Sequence, residues 1–286
     1  MINKIKKYWE GFRISEVLLM SGFFIIGGLF AINEFDCDSL LKLFGLAILS
    51  FFIVLSIYSF NAAAGKTQDN INLRLKNLWN FSKRTFLKIF FVFFIISLVL
   101  SFVLNPYSAA LCFIIILLWI LYSHPRYGLK QKAVWGTLVH FFAQILHFIM
   151  AWIIFSELKI ETVLIALFFS IAFSAGHILH EIIDYNSDKR SGFKTSPIVF
   201  GIKPTTRVLA TILFVNIMLL TCLGFCDLIP FTAFIAFLPA SVTHLLLILI
   251  IVYFNRTETK AIIIRYVYRV AYLLSGLSYL ALLLFS

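Results

Sequence analysis

Apolar residues in this chain come in long unbroken runs. The stretch from Ile89 to Pro125 holds 37 residues without an Asp, Glu, Lys or Arg. A helix needs about 20 apolar residues to cross the hydrocarbon core of a bilayer. Charges and breakers divide the sequence into nine such segments, approximately 15–33, 41–62, 86–104, 107–123, 134–156, 161–182, 206–225, 229–253 and 264–285. The third and fourth share the 37-residue stretch and are split at Asn105 and Pro106, a turn signal. Pro239 predicts a kink in the eighth. The pattern predicts an all-α, polytopic protein with nine transmembrane helices. Residues 1–286 read as a single membrane domain, with no repeat, low-complexity tract or soluble domain.

Loop charges orient these spans. With the N-terminus in the cytoplasm, cytoplasmic segments hold 22 of the 24 Lys and Arg, and only Lys42 and Lys159 fall on the other side. That is the positive-inside pattern. It places the C-terminus opposite the N-terminus, in a bacterial-type inner membrane or its equivalent. The opposite loops are short and acidic (Glu34, Asp36, Asp38, Glu157, Glu161, Asp227), so function is expected on the cytoplasmic face. The basic N-terminal segment MINKIKKYWEGFR precedes an apolar run with no small-residue cleavage site, so the first span is expected to be retained.

Composition agrees. The chain is 62% hydrophobic and 13% charged, against about 25% charged for a soluble domain. A net charge of +11 follows from the loop bias and implies no nucleic-acid partner. Cys37, Cys112, Cys222 and Cys226 show no disulfide or zinc spacing and read as packing residues.

Against this scarcity of charge, three of the 13 acids stand within eight residues at the end of the sixth span, in HILHEIIDYNSDKRSGFKTS (His177–Ser196). If the helix continues past the bilayer, Glu181, Asp184 and Asp188 lie on one face, with His177 a turn earlier. Like charges so placed repel unless a cation joins them. Mg²⁺ suits, because it takes carboxylate oxygens and shares itself with substrate phosphates. Lys189, Arg190 and Lys194 follow as candidate phosphate partners. A zinc site from His177, His180 and Glu181 is disfavoured, because His180 points away and the order is not H-E-x-x-H.

A second polar stripe, Asn61, Gly65 and Asp69, ends the second span on the same predicted side. Arg126, Lys130 and Lys132 follow the fourth span. Two polar stripes at one depth are expected to face each other across a central cavity opening near the cytoplasmic face. Acids for metal, bases for phosphate and an apolar interior together suit an amphiphile with a diphosphate head and a hydrocarbon tail.

These residues resemble the UbiA superfamily of intramembrane prenyltransferases, over essentially the whole chain. That family has nine spans and two Asp-rich motifs, N-D-x-x-D-x-x-x-D after helix 2 and D-x-x-D-x-x-x-D after helix 6. Glu181, Asp184 and Asp188 match the second, KRSGFKTSPIVFG resembles its basic tail, and YSHPRYGLK resembles the loop after helix 4. In the first motif Asn61 and Asp69 match, while Ala62 and Gly65 stand where acids are expected, with Lys66 adjacent. The resemblance implies a Mg²⁺-dependent transferase acting on a prenyl diphosphate and a hydrophobic or aromatic acceptor, within membrane lipid. It implies catalytic roles for Asp69, Asp184 and Asp188, and metal-binding roles for Asn61, Asp69, Glu181, Asp184 and Asp188. Diphosphate contacts are implied for Arg126, Lys130, Lys189, Arg190 and Lys194. Two other readings stay open: a terpene cyclase of the same fold, needing no acceptor, and a non-catalytic homologue that binds a lipid or quinone. A transporter is disfavoured, because no Gly/Pro-interrupted helix pair is present.

Some residues admit two readings. Tyr122, Tyr127, Tyr266 and Tyr268 are either aromatic walls for a developing cation or interface anchors. His140 and His147, seven apart on the fifth span, either face an acceptor or hydrogen-bond between helices, and Asn216 is read the same way.

Overall fold

The computed structural model describes residues 8–32, 34–65, 81–254 and 258–285. Its helices are α1 (Ile14–Ala31), α2 (Cys37–Gly65), α3 (Lys83–Leu104), α4 (Pro106–Ser123), α5 (Trp135–Trp152), α6 (Ile160–Ile183), α7 (Tyr185–Arg190), α8 (Ser196–Phe200), α9 (Ile202–Phe225), α10 (Phe231–Phe254) and α11 (Glu258–Phe285). Among the described residues, nine are long and apolar enough to span a membrane: all except α7 and α8. The protein is an integral membrane protein built from helices.

Helix ends follow local chemistry. Asn105 closes α3 and opens α4: its Oδ1 accepts the Tyr107 N–H at 2.9 Å, and Pro106 takes the first helical position. Proline suits that position because its missing N–H has no intrahelical partner to lose. The amide of Asn105 also donates to the Ile153 carbonyl at 2.7 Å, fixing the turn to the end of α5. The helix α2 begins ahead of its apolar core, where Asp36 accepts the Ser39 N–H at 2.8 Å and caps the first turn. Pro239 lies inside α10.

The chain forms two compact units: residues 1–130 with 146–158, and residues 131–145 with 159–286. In the first, α2 packs on α3 through stacked Phe52 and Phe93, 5.0 Å apart, and through Phe60 and Phe90 at 5.1 Å. In the second, α6 packs on α10 through Phe169 and Phe237 at 5.1 Å, edge to face. Close van der Waals fit of this kind holds membrane helices together, since lipid tails are as apolar as the side chains. Gly176 of α6 serves the same end. A Cβ there would lie 2.6 Å from the Tyr268 hydroxyl, so glycine makes room for that side chain of α11. The most interior span is α6, and it delivers the acidic motif from its end.

Candidate functional site

The second unit builds the acidic motif from a broken helix. The α6 helix ends at Ile183, Asp184 caps it, and α7 resumes immediately. The ladder persists through the junction, with Asp184 N–H to the His180 carbonyl at 2.9 Å and Asp188 N–H to the Asp184 carbonyl at 2.8 Å. Asp184 and Asp188 therefore stay one turn apart, both half-buried.

Chain reversal comes next. Gly192 has φ +71°, a left-handed conformation that glycine adopts without strain. Phe193 N–H reaches the Asp188 carbonyl at 3.0 Å and Gly192 N–H reaches that of Lys189 at 3.3 Å. These two bonds are the signature of a glycine-terminated helix. The reversal folds Lys194, Thr195 and Ser196 back along the acids. Thr195 donates its hydroxyl to Asp188 Oδ2 at 3.1 Å. Ser196 donates its backbone N–H to Glu181 Oε2 at 3.1 Å. Lys194 N–H reaches the Gln131 carbonyl at 2.9 Å, and Val134 N–H reaches the Ser196 hydroxyl at 3.3 Å. The basic tail is thus latched at four points, leaving the Lys189, Arg190 and Lys194 side chains exposed.

Glu181 is buried and occupied. Beside its bond to Ser196, its Oε1 lies 3.4 Å from His177 Nε2. His177 stacks on His140, ring centroids 3.9 Å apart, and His180 turns the other way to Arg269 at 2.6 Å. The zinc set is thereby dispersed. Among the described residues no group of three or more His, Cys, Asp and Glu is placed to hold a metal. Asp184 and Asp188 are two carboxylates one turn apart, a donor set of the kind that would suit Mg²⁺, which binds through one or two carboxylates and substrate phosphates rather than an all-protein cage.

In the first unit, the loop after α4 folds around His124, whose Nδ1 accepts the N–H groups of Arg126 and Tyr127 at 3.2 and 3.1 Å. The turn leads into a short 3₁₀ segment, Leu129–Gln131, that carries Lys130. Its ammonium donates to Asn61 Oδ1 at 3.2 Å. Arg126 is exposed, its guanidinium 5.3 Å from the Tyr127 ring. Asp69 and Lys66 lie outside the described residues.

Several side chains depart from the sequence reading. Only Cys112 is buried; Cys37, Cys222 and Cys226 are exposed, and helical spacing brings the last two sulfurs to 3.9 Å. Asn216 is buried with neither amide atom hydrogen-bonded, so it is no interhelical bridge among the described residues. His147 packs its ring against Phe24 at 3.8 Å, again without a hydrogen bond. Tyr127 and Tyr266 are exposed, as interface anchors are, whereas Tyr268 is buried. The sequence reading passed over His244, a fully buried imidazole stacked on Tyr268 at 4.0 Å, because it stands within a span and away from either acidic motif.

A family model described as the UbiA prenyltransferase family matches residues 21–284. A comparison with curated proteins gave no match. Several solved structures share the fold, among them the following. One, from work on digeranylgeranylglyceryl phosphate synthase in membranes, is 19% identical over 98% of each chain, with a TM-score of 0.72. A UbiA homologue from Archaeoglobus fulgidus, bound to GPP and Mg²⁺, is 18% identical over 96% of this chain and 99% of its own, TM-score 0.70. An apo UbiA homologue from Aeropyrum pernix K1 is 14% identical over 94% and 98%, TM-score 0.71.

Proposed function

Because the chain belongs to the UbiA prenyltransferase family, we propose that it transfers a prenyl group from a prenyl diphosphate to a hydrophobic or aromatic acceptor, with Mg²⁺. The observation that carries this reading is the latched acidic element of the second unit. Asp184 and Asp188 stand one turn apart, and Thr195 and Ser196 hold a basic tail against them. The solved relative with GPP and Mg²⁺ bound supports the choice of substrate and ion.

In this reading Asp184 and Asp188 hold the ion. When bound, Mg²⁺ neutralises the diphosphate and makes it a leaving group. Thr195 restricts Asp188 through its hydroxyl, so that carboxylate arrives oriented rather than free to rotate. Lys189, Arg190 and Lys194, exposed beside the acids, offer charge-assisted hydrogen bonds to phosphate oxygens. In the first unit Lys130 and Arg126 are proposed for the same task, and Asp69 is the carboxylate the first motif retains. Glu181 fixes the tail through Ser196; any contact it makes to an ion comes after that duty. The apolar spans exclude water from the prenyl chain, which protects the allylic cation formed as the C–O bond breaks. The proposal places the acidic motif at the cytoplasmic face, on the strength of the loop charges.

Membranes containing the full chain, incubated with labelled geranyl diphosphate and Mg²⁺, test the activity. Label recovered in a prenylated lipid supports transfer. A cyclised hydrocarbon formed without acceptor supports cyclisation instead, and label that stays as diphosphate contradicts both.

A further inference from the structure

The two acidic motifs differ in what they offer a cation. The second presents two carboxylates on one helical face. In the first, Ala62 and Gly65 stand where carboxylates are expected; both are buried, and neither side chain has an oxygen to give a metal. Asn61 is the remaining described donor, and its oxygen faces the Lys130 ammonium at 3.2 Å. An ammonium has three donors and no acceptor, so the amide atom turned toward it is the oxygen. A divalent ion on that oxygen, at a bond length of about 2.1 Å, would lie within about 5 Å of the ammonium. Two cations that close, at a half-buried site, repel with less screening than in water. The described residues of the first motif therefore do not fit a divalent ion.

We propose that Lys130, positioned by Asn61, takes the place of a divalent ion at the first motif, and that the chain loads one such ion with its substrate. This deepens the prenyl diphosphate reading and rests on it. The arrangement supplies a fixed single positive charge that no chelator removes. Asn61 then serves as a positioning residue: it sets the lysine head rather than binding metal. The 3₁₀ segment fixes the root of the lysine and Asn61 fixes its tip, so the ammonium is ordered before substrate arrives.

The test counts ions. The purified full chain, saturated with geranyl S-thiolodiphosphate as an unreactive analogue, is titrated with Mn²⁺, and free Mn²⁺ is read by electron paramagnetic resonance. The expected count is one tight Mn²⁺ per chain. Asn61→Ala is expected to keep that count while weakening the analogue about tenfold, the loss of one oriented ionic contact. Lys130→Met is expected to do the same, and covers the case in which the first variant fails to fold. Two ions in the wild type, or loss of the ion in Asn61→Ala, overturns the inference and leaves prenyl transfer standing. Analogue bound without any ion also overturns it. Neither ion nor analogue bound overturns the parent reading, and this inference with it.

Discussion

Glu181 and Ser196 are fifteen residues apart in sequence, yet the Glu181 carboxylate accepts the Ser196 backbone N–H at 3.1 Å. The bond joins the last turn of α6 to the first residue of α8, and so closes the segment carrying Lys189, Arg190 and Lys194 into a loop of fixed shape. Ser196 opens α8, where backbone N–H groups lack intrahelical partners and a carboxylate is favoured.

Removing that anchor should loosen the loop. Hydrogen bonds to charged groups contribute about 1.5–3 kcal/mol, so Glu181→Ala is expected to lower stability by about 2 kcal/mol. Glu181→Gln, which keeps an accepting oxygen, is expected to lose less than half of that. Hydrogen exchange at Ser196 checks the account: fast exchange in Glu181→Ala and slow exchange in Glu181→Gln are expected. Equal protection in all three proteins would remove the anchoring role.

Much of this was readable from sequence for physical reasons. Spans need long apolar runs, so the count of nine and the split at Asn105–Pro106 follow from composition and turn chemistry. The His177–Glu181 pairing and the divergence of His180 follow from helical period alone. What sequence did not show is partner choice. Periodicity put Glu181 on a stripe with Asp184 and Asp188, but it carries no information on a backbone N–H fifteen residues away. Nor does it reveal that Asn61 is engaged by a lysine 69 positions on, since that contact depends on where the loop after α4 folds. The cysteines show the same limit: Cys37 and Cys226 stand at helix ends beside acids and Cys222 on an outer helix face, so three of the four are exposed.

Val134, just before α5, has φ +68°, a left-handed conformation that a β-branched residue adopts at a cost. Its N–H bond to the Ser196 hydroxyl helps hold it there. Strain of this kind costs about 1–3 kcal/mol. Val134→Gly is therefore expected to raise the melting temperature, against the usual direction for glycine. Ser196→Ala, which removes the restraining hydroxyl, is expected to lower it. A fall in melting temperature for Val134→Gly would show that no strain is held at this position.

His244 is wholly buried in α10, and neither ring nitrogen finds a hydrogen bond among the described residues. A buried polar group without a partner costs about 1–3 kcal/mol. His244→Leu, close in volume, is expected to leave thermal stability unchanged or to raise it. A marked loss of stability would mean that the imidazole has a partner in the working protein.

Asp36 caps α2 from outside the span. The Ser39 N–H it accepts holds its carboxyl below the ordinary value of 3.8. A carboxyl lowered on folding stabilises fully above its unfolded pKa, and that contribution is lost as pH falls through the folded value. The first turn of α2 is expected to stay protected above the ordinary carboxyl value of 3.8 and to fray only as pH falls below it. In Asp36→Asn the protection should not depend on pH over this range. Hydrogen exchange at Ser39 and Leu40 reads both outcomes.

Mg²⁺-dependent release of pyrophosphate from geranyl diphosphate tests the central claim most directly, compared between the wild type and the variants Asp184→Asn and Asp188→Asn. Each carboxylate is assigned to the ion that makes the diphosphate leave, so each variant should lose about 100-fold or more in rate, with the chain still folded and in the membrane. Release at the wild-type rate in both variants would contradict the account.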